Sequence, residues 1–243
     1  MTRTNASTGD GDGSSGMIAE QDAASFRREV FECSACEALG FGFRRPAPGA
    51  PFHKFPPTIG AAGKAPILFV GINPRMTPGN QWLHDLVMSD RSAFDQLAVN
   101  RVNGKRYIQA IGGERHYKYH QGLVECVFGA GVEFEAYAAV TELLLCAKAS
   151  SLGLPRVGSP CADRYLGRTM IQVQPKVVVA VGRPVEEYLR RLGRGTGPTF
   201  TVDLAGTPAT VIAVPHPNHH GPRLAPWREA CRLAKAVITG ERP

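Results

Sequence analysis

The sequence predicts an α/β protein: a three-layer α/β/α sandwich with a short, mostly parallel sheet of about four strands. Two observations predict it. Four short runs rich in β-branched and apolar residues lie near 66–72, 139–145, 176–182 and 209–215. Helix-compatible stretches fall near 81–98, 161–174 and 183–193, with a last one at 224–238. Strands alternating with helices imply a parallel sheet covered on both faces.

Residues 1–16 are mostly Gly, Ser, Thr, Asp and Asn, with almost nothing to bury. They predict a disordered tail over 1–22, ahead of a single domain over 23–243. Ala23 to Val30 reads as a short helix leading into Cys33-Ser34-Ala35-Cys36, and the Gly- and Pro-rich residues 40–64 read as a long loop. The first strand, Ala65-Pro66-Ile67-Leu68-Phe69-Val70, stops at Gly71, and Asn73-Pro74 follow Ile72. Pro74 has no N–H and a fixed φ, so it ends the strand and biases Asn73 toward an extended backbone. In the last helix Trp227, Ala230, Cys231, Ala234, Val237 and Ile238 recur at helical spacing, which makes them one buried face. Cys231 is then a small core residue, and Cys126 has no evident partner.

The chain has 243 residues, 43% of them hydrophobic, enough for one domain with a substantial core. No apolar run approaches the roughly 20 residues of a membrane span, and the start lacks a signal-peptide pattern, so the expectation is a cytoplasmic protein, no membrane and a monomer. A net charge of +7 fits a polyanionic partner, because phosphate contacts release counterions. Six cysteines in a cytosolic chain argue against a disulfide framework and for metal or redox use.

Two loops carry candidate chemistry. Val70-Gly71-Ile72-Asn73-Pro74 leaves the first strand, and Val214-Pro215-His216-Pro217-Asn218-His219-His220 leaves the fourth. Ligands of α/β proteins bind just outside the carboxyl ends of strands. His219 and His220 have no third ligand at useful spacing, which argues against a metal there. Between the first two strands lie Asn100 to Tyr107 and Glu114 to His120, where basic residues alternate with tyrosines. That pattern suits phosphate contact with base stacking, or a surface excursion whose tyrosines anchor it to the core.

These loops resemble the two active-site motifs of the uracil-DNA glycosylase superfamily, the first its GINP-type water-holding loop, the second its groove-entering loop. Thr141-Glu142-Leu143-Leu144-Leu145-Cys146 and Pro175 to Arg183 are similar to two further motifs of its iron–sulphur branch, in order along the chain. The resemblance implies a monofunctional DNA glycosylase of base-excision repair, releasing uracil or another damaged base by water attack. The alternative is a non-catalytic nucleic-acid-binding protein that retains the fold and cluster. The partner is DNA with a flipped base. By resemblance Asn73 and His216 are catalytic, Asn73 holding water and His216 stabilising the departing base. Gly71, Ile72, Pro74 and Glu142 would contact the base, and Pro217, Asn218, His219 and His220 the DNA. Cys33, Cys36, Cys146 and Cys161 match the family's ligand layout for a [4Fe–4S] cluster, with zinc as the alternative. No lysine sits in either motif to form a Schiff base, so lyase activity is not expected. The family's aromatic after the first motif has no counterpart, which leaves Trp82, Tyr107 and Tyr117 as candidates for base stacking.

Glu142 departs from the family, whose matching asparagine reads the uracil edge. An ionised carboxylate accepts hydrogen bonds only, so it predicts poor action on uracil at neutral pH. Two escapes exist: a raised pKa that keeps the group protonated, or a base offering donors, such as hypoxanthine through N1–H.

Overall fold

The computed structural model describes residues 13–35, 59–60, 64–72, 116–146, 160–217 and 224–241. Helix α1 (Gly13–Glu32) is followed by strand β1 (Ile59–Gly60) and strand β2 (Ile67–Gly71). Helical residues 116–128 form α2, then α3 (Phe134–Tyr137) leads directly into β3 (Ala138–Glu142). Next come α4 (Pro160–Val173), β4 (Val177–Val181), α5 (Arg183–Leu192) and β5 (Gly193–Arg194). The hairpin strands β6 (Thr199–Leu204) and β7 (Thr207–Val214) precede the last helix, α6 (Leu224–Thr239).

All seven strands form one sheet in the order β1-β3-β2-β4-β7-β6-β5. The four expected strands are its central block, and they are mutually parallel. The sheet is nevertheless mixed, with seven strands where four were expected, because β1, β5 and β6 pair antiparallel at the two edges. The β6–β7 hairpin has a physical signature that the expectation lacked. Thr199-Phe200-Thr201-Val202-Asp203 alternates exposed or half-buried residues with buried Phe200 and Val202. The turn residues Ala205 and Gly206 both take positive φ, 54° and 78°, as a tight two-residue hairpin demands.

Successive strand residues point to opposite faces, and each face has its own core. Ile67, Phe69, Val140, Val177, Val179, Ile212 and Val214 pack with Phe26 and Val30 of α1, Val124 of α2, and Trp227 and Ala234 of α6. Leu68, Val70, Ala139, Val178, Ala180 and Val211 pack with Leu166 and Met170 of α4 and Val185 and Leu189 of α5. The three-layer α/β/α architecture follows. Burying each of these aliphatic side chains stabilises the fold by about 1.5–3 kcal/mol.

Helix α1 starts at Gly13 rather than Ala23; its Ala, Glu and Gln residues are strong helix formers. The expected helix at 81–98 lies outside the described residues, and so does the expected loop at 40–64 except for Lys64 and for Ile59 and Gly60, which form β1 instead. The stretch from His116 onward is a helix of the core. Tyr117 is buried against Phe134, and Tyr119 packs on Trp227 with ring centroids 5.1 Å apart. Tyr117 is therefore an anchor and not a stacking platform. Tyr107 and Trp82 lie outside the described residues. Cys126 and Cys231, expected to be without a partner and a plain core residue, are joined by a disulfide between α2 and α6, with Cα atoms 6.1 Å apart.

Among the described residues no helix is long and apolar enough to cross a membrane.

Candidate functional site

From β2 the chain goes to β3 on one side and then to β4 on the other. The order reverses between β2 and β4, which opens a crevice at their carboxyl ends. Four parallel strands deliver residues to that edge: Gly71 and Ile72 from β2, Glu142 from β3, Gly182 just past β4, and His216 just past β7. The exits of β2 and β3 are locked together, since Leu143 N–H donates to Gly71 O at 2.9 Å and Leu144 N–H donates to Ile72 O at 3.0 Å.

Glu142 is the register partner of Gly71 and leans over it. A Cβ at Gly71 would lie 2.7 Å from Glu142 Cδ, so glycine makes room for this carboxyl. Glu142 Oε2 is buried and has no hydrogen-bond partner among the described residues. Burial pushes the carboxyl up to about 8, so it is mainly protonated at neutral pH. Of the two escapes open to Glu142, the geometry favours the raised pKa. A neutral carboxyl offers one donor and one acceptor side by side, as a primary amide does.

His216 lies just past β7 at the same edge of the sheet. Gly182 N–H donates to Val214 O at 2.8 Å, and the Trp227 indole N–H donates to Pro215 O at 3.2 Å; together they fix the chain on either side of the bend. Gly182 has φ 93° and ψ 153°, a conformation essentially reserved for glycine. A Cβ at Gly182 would lie 3.6 Å from His216 Cβ. Glu142 over β2 and His216 beside β4 therefore stand at the carboxyl ends of adjacent parallel strands.

The sequence did not single out His116 and His120. The His116 ring lies 5.2 Å from that of His216 and 4.3 Å from that of His120. His120 stacks on Phe69 at 4.2 Å and is 1% exposed, and neither ring nitrogen has a partner among the described residues. Burial, and the repulsion of His216, push His116 down to about 3. Burial and the two neighbouring imidazoles likewise hold His120 well below its ordinary range. Both rings are neutral at pH 7. Their spacing of four residues on α2 is a sequence signal, visible only once that stretch is known to be helical.

Cys33, Cys146 and Cys161 belong to or pack against the same core cluster. Leu145 N–H donates to Cys161 Sγ at 3.3 Å, which places Cys161 beside the end of the β3 segment. Cys33 follows α1, beside Tyr165 of α4, whose hydroxyl is raised by burial and by that sulfur. Glu29 joins α1 to α4 through Arg164 and Arg168. Among the described residues no group of three or more His, Cys, Asp or Glu is arranged to hold a metal ion. Cys36 lies outside the described residues, as do Asn73, Pro74, Asn218, His219 and His220. Pro217 is buried at the end of the His216 segment.

No family model matches the chain, and no curated protein matches it.

Proposed function

We propose that this protein is a cytoplasmic, monomeric DNA glycosylase that releases uracil or another damaged lactam base by water attack. The observation that carries the reading is the buried Oε2 of Glu142, without a partner among the described residues, above Gly71 at the sheet edge where the strand order reverses. A buried polar atom without a partner costs about 1–3 kcal/mol. A lactam edge would supply the missing partners: ring N–H to the carboxyl C=O, and ring C=O from the carboxyl O–H.

Each residue then has a part. The flipped base enters the crevice edge-on, toward the carboxyl that glycine at 71 accommodates. Asn73, next in the chain after Ile72, holds a water near C1′ of the sugar. The glycosidic bond breaks with its electrons on the base. His216 donates an N–H to the developing anion at the base carbonyl, the water oxygen bonds to C1′ as its proton passes to solvent, and the released base anion takes up a proton from solvent. The products are the free base and an abasic sugar. Asparagine is a poor base, so the rate must come from positioning and electrostatics. Asn218, His219 and His220 follow in sequence and would meet the DNA, while Pro217, which is buried, would anchor the start of that loop.

Cys33, Cys36, Cys146 and Cys161 are proposed as ligands of a [4Fe–4S] cluster, with zinc as the alternative. The meeting of Cys161 Sγ with Leu145 N–H supports this, because thiolates of such clusters accept backbone N–H groups. The cluster would tie α1 to the segment after β3 and to the start of α4.

The test uses single- and double-stranded oligonucleotides carrying one uracil, hypoxanthine or xanthine, with chromatography of the released base. Release of a free lactam base with an intact abasic strand supports the proposal. Tight DNA binding without release from any substrate would refute catalysis.

A further inference from the structure

We propose that His116 is a positioning residue for His216, fixing which ring nitrogen of His216 carries the proton and holding that N–H toward the crevice. The inference deepens the glycosylase reading, since it concerns the residue that meets the departing base.

The geometry is a buttress of four rings. Phe69, fully buried in β2, carries His120 at 4.2 Å. His120 meets His116 edge-on at 4.3 Å, and His116 meets His216 at 5.2 Å with the planes tilted 54°. Phe134 and Trp227 flank His120, with ring centroids 6.5 Å and 5.8 Å away. His116 is thus backed from behind and presses on the ring that faces the crevice. Which nitrogen of an imidazole is protonated is set by what the other nitrogen meets.

Stability alone does not explain the choice of residues. His116 Nδ1 and both nitrogens of His120 are buried without partners. A phenylalanine at either place would fill similar volume without that cost. Residues that break a local rule with no structural gain cluster at functional sites. Both rings are neutral, so His116 acts on His216 as a fixed dipole and a wall, not as a charge.

The test uses the full chain with ¹⁵N-labelled histidine. Two-bond ¹H–¹⁵N spectra assign the proton of His216 to one ring nitrogen or the other. Three variants are compared: His116→Phe, His116→Leu as a second apolar replacement, and His116→Gln, which keeps polar atoms near the Nε2 position. The wild type should show one His216 tautomer, the two apolar variants a mixture, and the glutamine variant a return toward one. On the base-releasing substrate, kcat should fall at least tenfold in the folded apolar variants with KM within about twofold, and recover in His116→Gln. An unchanged His216 spectrum in an apolar variant would overturn the proposal whatever the activity. The spectra need no substrate, so failure of the glycosylase reading is seen separately, as absence of base release from the wild type.

Discussion

Replacing Glu142 with glutamine should change how stability depends on pH, and the size of the change follows from the site. The Glu142 carboxyl rises from 4.5 to about 8 because it is buried without a partner. A carboxyl raised on folding contributes stability that is fully present below pH 4.5 and lost as pH rises through about 8. Each unit of pH in that window costs about 1.4 kcal/mol. From pH 6.5 to pH 8 the wild type should lose about 2 kcal/mol. His116 and His120 act in the opposite sense. Their pKa values are depressed on folding, to about 3 for His116 and well below the ordinary range for His120, so their stability is present above 6.5 and is lost as pH falls below it. The two trends cross, and wild-type stability should peak near pH 6.5. Glu142→Gln removes this loss across the whole window from 4.5 to about 8, so its stability should rise more steeply up to pH 6.5 and then stay level. Urea unfolding at half-unit steps from pH 5.5 to 8.5 reads this directly. A loss of 2 kcal/mol corresponds to a midpoint shift of roughly 1 M. An alkaline decline of the same slope in both proteins would show that Glu142 is not the titrating group, and the argument for a protonated base reader would fail with it.

Other outcomes follow from the same geometry. Asn73→Ala and His216→Ala should each slow base release by about two orders of magnitude, roughly 3 kcal/mol, with DNA affinity in a gel-shift assay nearly unchanged. Protein purified without oxygen should be brown and contain iron, and Cys161→Ser should lose both colour and thermal stability; one zinc, or no metal, in the wild type would dismiss the cluster. Cys126→Ser should lower stability by about 2–4 kcal/mol under non-reducing conditions, because the bond closes a loop with a sequence separation of 105. Equal unfolding midpoints with and without reductant would mean that the bond does not form in solution.

Much of the fold was legible because its signals are local. The valine-rich run at 177–181 and the apolar run at 67–70 are buried on both faces, and such strands read as unbroken apolar segments. Trp227, Ala230, Cys231 and Ala234 repeat at helical spacing and are buried on α6. The edge strands β1 and β5 are two residues each, too short to show a period. The Cys126–Cys231 pair is 105 residues apart, and no local pattern announces such a contact. The site was partly legible for the same reasons. Glu142, Gly71 and His216 end or follow strands, so strand assignment placed them at one edge of the sheet. His116 and His120 reach that edge through a helix between β2 and β3, and their role emerges only from packing on Phe69 and His216.

Single-turnover release of free base from an oligonucleotide carrying one uracil or one hypoxanthine, followed from pH 6 to pH 9, tests the central claim most directly. The wild type should release a lactam base, with a rate that is level at neutral pH and falls as Glu142 ionises near 8. Glu142→Gln, which keeps both donor and acceptor, should hold its rate through that range. No release from either substrate at any pH, or a wild-type rate that climbs as Glu142 loses its proton, would contradict a crevice in which a neutral carboxyl reads the base.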